Sequence, residues 1–342
     1  MKVKKLEKSA LDAWVDDCIA QGNVHGVQAQ DERFVFGPIE KAADLCLGYD
    51  VTILPPKKYF LPQREVLNTY SKDEGFTSVV DDEPFVLFGI HPYDMVAISQ
   101  TDKLFEMDNP DIHYLRRREN ATLVVSDIES MSENIFAGSM GTATVDDGFD
   151  ILLTNIGDAY LVDVRTDKGE ALAASISDAP DASEDDLRKR EEVQQKNREE
   201  AQRHKLNFDP AKLPEILSKA YKHPIWEERA EQCHSCGSCN LVCPTCYCFN
   251  VCDDCDWSLE TVERRRIWDG CLLNDFALTA GGHNFRRHRA SRYRHRYLRK
   301  GEYVPGKIGE IACIGCGRCV TACTTKIANP VEVFNTIAED SE

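Results

Sequence analysis

The chain has 342 residues, 42% hydrophobic and 29% charged, a balance that excludes a disordered polypeptide and gives room for two folded domains. Its 58 acidic and 41 basic side chains leave a net charge of −17, which argues against a dominant nucleic-acid or anionic-membrane role. No apolar run is long enough to cross a bilayer, and the stretch Met1–Lys8 has no apolar core behind its positive charges, so neither membrane insertion nor a secretory signal is expected.

Residues 1–176 read as a mixed α/β N-terminal domain. Leu6–Gln21 has helical periodicity, while Phe85–Ile90 and Thr122–Asp127 are short apolar runs suited to buried strands. Asp150–Asn155 and Ala159–Val164 flank Ile156-Gly157-Asp158, the pattern of a hairpin. Pro55-Pro56 and Pro62 mark an irregular loop. Gly138–Thr142 is a small-residue loop after a strand, able to approach a cofactor but more simply read as a turn. The small, acidic stretch Ser177–Asp186 marks a domain boundary, and residues 177–221 read as a charged linker with a solvated helix over Asp185–Lys205. Residues 222–342 read as a helical ferredoxin-like domain. Ser258–Leu278 and Arg286–Lys300 are expected as its helices, broken at Gly281-Gly282. The fold class expected is therefore α+β.

Fifteen cysteines in a chain without an export signal point to the reducing cytoplasm and to metal–sulfur chemistry rather than disulfides. Eight of them repeat one spacing. Cys233, Cys236, Cys239 and Cys243, then Cys313, Cys316, Cys319 and Cys323, both read C-x2-C-x2-C-x3-C. This is the ligand run of bacterial-type ferredoxins carrying [4Fe–4S] clusters. The first three thiolates wrap one cluster; the fourth lies too far along and ligates the other. The spacing thus assigns Cys233, Cys236, Cys239 and Cys323 to one cluster, and Cys313, Cys316, Cys319 and Cys243 to the second. Zinc sites are built from paired C-x2-C units and fit poorly.

Five further cysteines, Cys246, Cys248, Cys252, Cys255 and Cys271, lie near the first run. Cys252-x2-Cys255 has a metal-ligand spacing, so one reading is a third iron–sulfur centre. The plainer reading is reduced thiols packed near the clusters. Cys18 and Cys46 read as core residues, and His91, His113 and His223 as structural. His234 lies inside the first cluster loop, where a hydrogen bond to the cluster would tune its potential. No dinucleotide fingerprint, P-loop or nucleophile elbow occurs.

From Phe276 to Gly301 there is no acid, yet Arg286, Arg287, Arg289, Arg292, Arg294, Arg296, Arg299 and Lys300 fall there, with Tyr293 and Tyr297 between them. Three readings compete: nucleic-acid binding, docking onto an acidic partner, and counter-charge for two anionic clusters. The acidic remainder weighs against the first.

The segments Cys233–Phe249, Gly281–Arg286 and Gly315–Cys323 resemble those of a known family, the iron–sulfur beta subunits of cytoplasmic nickel–iron sulfhydrogenases and the related A subunits of anaerobic sulfite reductases. Pro55–Leu67, Phe88–Asp94, Tyr114–Asn120 and Gly138–Thr142 resemble that family's N-terminal segments, in the expected order. The resemblance implies two [4Fe–4S] clusters at the runs above. It also implies relay of electrons between a flavin-containing NAD(P)H subunit and a catalytic subunit that reduces protons, polysulfide or sulfite, or oxidises hydrogen. Family members often carry cysteine where this chain has Tyr93, Ile135 and Ala137, so any N-terminal centre served by those cysteines is expected to be absent. The sequence thus reads as a non-catalytic electron-transfer subunit, with flavin only in a partner. The rivals are an enzyme whose N-terminal domain binds flavin and an iron–sulfur nucleic-acid regulator.

Overall fold

The computed structural model describes residues 3–340; Met1 and Lys2, at the start of the stretch weighed as a signal, and the last two residues lie outside it. The N-terminal half is built on a seven-stranded sheet in the order β1-β9-β8-β7-β6-β2-β3. These strands are β1 (Lys4–Glu7), β2 (Asn23–Gln30), β3 (Arg33–Pro38), β6 (Phe85–Ile90), β7 (Ala121–Ser126), β8 (Ile151–Asn155) and β9 (Ala159–Val164). Pairing is parallel between β2, β6, β7 and β8 and antiparallel at both edges. The expected hairpin is β8–β9.

Both faces of the sheet are covered, because side chains alternate along each strand. Phe88, Val124 and Leu153 meet Trp14, Val15 and Cys18 of α1 (Lys8–Gln21) on one face. Leu87, Leu123, Val125 and Leu152 meet α2 (Pro92–Glu106) and α3 (Ile112–Asn120) through Met95, Ile98, Phe105 and Tyr114 on the other. Each fully buried apolar side chain of this size contributes about 1.5–3 kcal/mol. Cys18 is core, as expected. Residues 127–150 join β7 to β8, and Gly138–Thr142 lies among turns in that connection rather than directly after a strand.

After α4 (Asp167–Leu172), the charged segment forms α5 (Glu184–Glu200), capped by a Ser183–Asp186 capping box. It is mostly exposed, though Asp186 and Asn197 are buried. A second core follows. It is formed by α6 (Leu213–Lys219), α7 (Ile225–Glu231), α9 (Arg289–Leu298) and α12 (Pro330–Glu339), with Leu217, Trp226, Tyr297 and Phe334 packed against Cys233, Cys239, Cys313 and Cys319. The short helices α8 (Ser238–Leu241) and α11 (Arg318–Ala322) sit inside the two cysteine runs, while α10 (Pro305–Ile308) follows a π-helical turn at Arg299–Tyr303.

One expectation is corrected. Ser258–Leu278 is not helical: it contains strand β11 (Thr261–Trp268), which pairs antiparallel with β10 (Phe249–Cys255). β11 also pairs with β4 (Arg64–Ser71), and β4 with β5 (Gly75–Ser78), so strands from both halves of the chain share a four-stranded sheet. Arginines on β11 face aspartates on β10, Arg264 on Asp253 at 2.8 Å and Arg265 on Asp254, and these pairs favour the hairpin over a helix.

Candidate metal centre

The two cysteine runs fold alike. In each a glycine, Gly237 or Gly317, takes a left-handed conformation at the start of its short helix, with φ of 74° and 77°. At Gly317 a Cβ would run into the Asn134 carbonyl, so the second run lies against the β7–β8 connection and only glycine fits. Thr142 Oγ1 donates to the Ile314 carbonyl (2.7 Å), and the Phe136 amide donates to Gly315 (2.8 Å). The Gly138–Thr142 loop therefore meets the second cysteine loop.

Cys233, Cys236, Cys239 and Cys323 line one cavity. The fourth cysteine of the second run thus lies with the first three of the first run. Conversely, Cys243 is an electrostatic neighbour of Cys313 and Cys316, as is Cys319. Hydroxyls two residues along approach three of these sulfurs: Ser238 at 3.3 Å from Cys236, Thr245 at 3.4 Å from Cys243 and Thr325 at 3.6 Å from Cys323. Burial pushes the thiols of Cys239 and Cys316 up to about 12 and that of Cys313 up to about 11. Such thiols lose their protons when a metal takes the proton's place. Among the described residues no three His, Cys, Asp or Glu side chains come close enough to hold a single ion. A cubane asks for something else, one thiolate at each of four separated iron corners.

Cations gather around these sulfurs. Arg318 is buried and bidentate on Asp94, at 2.7 and 2.6 Å, and donates to the Thr52 carbonyl at 2.9 Å. Lys57 donates to the carbonyls of Cys243 (2.9 Å) and Cys246 (2.8 Å), and burial brings its ammonium down to about 8. Lys300 donates to Thr245 Oγ1 (2.9 Å) and to the Ala312 carbonyl (3.3 Å). Arg296 is 1% exposed, yet its Nε, Nη1 and Nη2 have no hydrogen-bond partner among the described residues. A bare buried guanidinium is too costly to persist without an anion. A thiolate-ligated iron–sulfur cluster is such an anion, so the residues fit the group that the spacing implies.

The five extra cysteines divide. Cys246, Cys248 and Cys271 line a small cavity with Arg296, Arg299 and Lys300, and Asn240 Nδ2 reaches both Cys271 Sγ (3.4 Å) and Cys246 Sγ (3.7 Å). Cys252 and Cys255 lie on β10, three residues apart on an extended strand, and so point to opposite faces. They do not share a site. Cys252→Ala and Cys255→Ala are accordingly expected to leave iron and acid-labile sulfide per chain unchanged; a fall in either would place a metal on the hairpin.

His234 is exposed and lines the first cavity. His91 stacks on Tyr49 and meets the Tyr93 hydroxyl at 2.6 Å, and His223 contacts Asp340 at 2.9 Å. Tyr93, Ile135 and Ala137 are buried together with Ile314 and Cys316. The roles of Lys57 and Asp94 escaped the sequence reading. Both lie in segments that carry the resemblance, Pro55–Leu67 and Phe88–Asp94, but nothing local marks either residue as a partner of the cysteine loops.

The model of a 4Fe–4S dicluster domain matches residues 232–327, the stretch holding all eight cysteines. The chain is 36% identical to the sulfhydrogenase 2 subunit beta of Pyrococcus furiosus over 341 residues, 99% of each chain. It belongs to the sulfhydrogenase beta-subunit family. A family member with this domain is an iron–sulfur electron-transfer protein. No solved structure matches the chain. Among the described residues no helix is long and apolar enough to cross a membrane.

Proposed function

We propose that the chain relays single electrons through two [4Fe–4S] clusters. One is held by Cys233, Cys236, Cys239 and Cys323, the other by Cys313, Cys316, Cys319 and Cys243. The relay runs between a flavin-containing NAD(P)H subunit and a catalytic subunit of the hydrogenase, sulfur-reductase or sulfite-reductase type, within a complex of the reducing cytoplasm. The observation that carries this reading is the place of Cys323 in the cavity of the first run. When bound, each cluster supplies a one-electron acceptor whose added charge is spread over iron and sulfur. The protein's part is to hold the thiolates, keep water from the second loop and surround both loops with fixed cations. The loop Gly138–Thr142, the feature that favours a flavin enzyme, bonds the second cysteine loop through Thr142 and the end of α5 through the Gly138 amide.

Cys236 is the exposed thiol of the eight, so electrons enter or leave by the face around it. Beside that face Arg292 Nη2 donates to Ser235 Oγ (3.0 Å) and Arg289 Nη1 to the Cys233 carbonyl (2.9 Å), tying the segment 284–292 to the first loop. Phe285 on this segment is 71% exposed, and Arg287 is exposed too. On a chain of net charge −17, this basic and apolar rim suits a partner subunit with an acidic contact surface. Arg287→Glu combined with Phe285→Ala is expected to weaken retention of one partner at least tenfold with both clusters intact. Equal retention at low salt would remove this face from the complex.

The test of the reading is a gentle anaerobic purification from the native host, with stoichiometric partners identified by mass spectrometry. A flavin subunit and a catalytic redox subunit are expected. A chain that emerges alone, carrying both iron and flavin, would contradict the relay.

A further inference from the structure

The buried face of α9 carries three cations at one-turn spacing: Arg292, Arg296 and Lys300, the last in the π-helical turn that continues the helix. At about 1.5 Å rise per residue, each is roughly 6 Å along the axis from the next. A buried stripe on an amphipathic helix is ordinarily apolar. Here its ends are tied to different cysteine loops. Arg292 donates to Ser235 Oγ in the first loop and to the Leu272 carbonyl (3.1 Å). Lys300 binds Thr245 Oγ1 and the Ala312 carbonyl, beside Cys243 and Cys313 of the second set.

Arg296, the middle cation, is different from both. It is as buried as its neighbours, but among the described residues no carbonyl, hydroxyl or carboxylate receives its guanidinium. The thiols its charge acts on most are Cys239, from the first set, and Cys319 and Cys243, from the second. We propose that Arg296 is a counter-charge shared by the two clusters, donating N–H groups to sulfur on both sides, so that it raises both reduction potentials together and offsets the repulsion between two electrons held at once. This rests on the two-cluster reading above. The physical reason is Coulombic. A fixed positive charge out of water favours the more negative, reduced state of any acceptor near it, and a planar guanidinium carries five N–H donors in a rigid fork that spreads toward acceptors on two sides. Lys300 lies on the side of the second set, its charge acting most on Cys243 and Cys246 and then on Cys313.

The test is a redox titration of the reconstituted full chain, followed by electron paramagnetic resonance, with iron and acid-labile sulfide counted first. In Arg296→Met both midpoint potentials are expected to move negative, whereas in Lys300→Met only the second cluster's potential moves. Arg296→Gln, neutral but still hydrogen-bonding, is read in the same way should the methionine variant not assemble. Loss of both clusters in the two neutral variants, with both retained in Arg296→Lys, also supports the shared charge. A shift of one potential only, an unchanged pair, loss of a single cluster, or an Arg296→Lys chain that holds no cluster overturns it. A wild-type chain with one cluster or none would instead defeat the reading on which the inference rests, so the two failures are distinct.

Discussion

Asp94→Ala is expected to destabilise the folded chain by about 3–5 kcal/mol, because it leaves a buried guanidinium without its carboxylate. Asp94 lies near the N-terminus of α2, just beyond the end of β6, and neither it nor Arg318 is more than 2% exposed. The pair fixes the second cysteine loop to the parallel sheet, since Arg318 sits between Cys316 and Cys319 and also bonds Thr52. Replacing both residues, Asp94→Ala with Arg318→Met, is expected to cost less than the single change, because no uncompensated charge remains. Denaturant unfolding of the iron-loaded chain, followed by both far-ultraviolet dichroism and cluster absorbance, measures this. A cost below about 1 kcal/mol for Asp94→Ala would show the pair to be dispensable, in the range of an exposed ion pair.

Glu65→Ala is expected to be comparably severe, again about 3–5 kcal/mol, because it takes the shared buried carboxylate from two buried cations instead of one. Glu65 on β4 meets Arg117 of α3 at 2.6 Å and also Arg266 of β11, while Arg266 reaches Asp111, the N-cap of α3. Arg117 has a second, weaker contact with exposed Asp81 at 3.3 Å. These charges hold the four-stranded sheet against the N-terminal core. Loss of Glu65 should therefore release β10 and β11 as well as β4. Hydrogen exchange should show new opening in all three strands; opening confined to β4 would mean that the sheet is held by its backbone ladder alone.

The parts of this architecture that were legible in the sequence are those written locally. α1, β6, β7 and the β8–β9 hairpin follow from short-range hydrophobic periodicity and a Gly-containing turn. The eight-cysteine pattern was legible because a cubane imposes its spacing on a short chain segment. β11 was misread because Glu263-Arg264-Arg265-Arg266 looks like a solvated helix in isolation. Only pairing with Asp253 and Asp254 on β10, and the pull of Glu65, gives those arginines a reason to lie on a strand.

What could not be read is the way distant segments cradle the cysteine loops. Lys57 and Cys243 are 186 residues apart, and Asp94 and Arg318 are 224 apart. Nothing in local spacing connects them. The basic segment was legible as an anomaly, but only the helix phase sorts its residues. It turns Arg292, Arg296 and Lys300 inward and leaves Arg289 exposed, as is Arg287 just ahead of the helix.

The most direct measurement compares four single variants by iron count and by the paramagnetic resonance of the surviving reduced cluster. If the ligands cross between runs, Cys323→Ala leaves the same surviving signal as Cys236→Ala, and Cys243→Ala the same as Cys316→Ala. Each is expected to hold about four of the roughly eight irons that two cubanes bring. Should Cys323→Ala match Cys316→Ala instead, each run would close its own cluster, and the crossed arrangement at the centre of the account would be wrong.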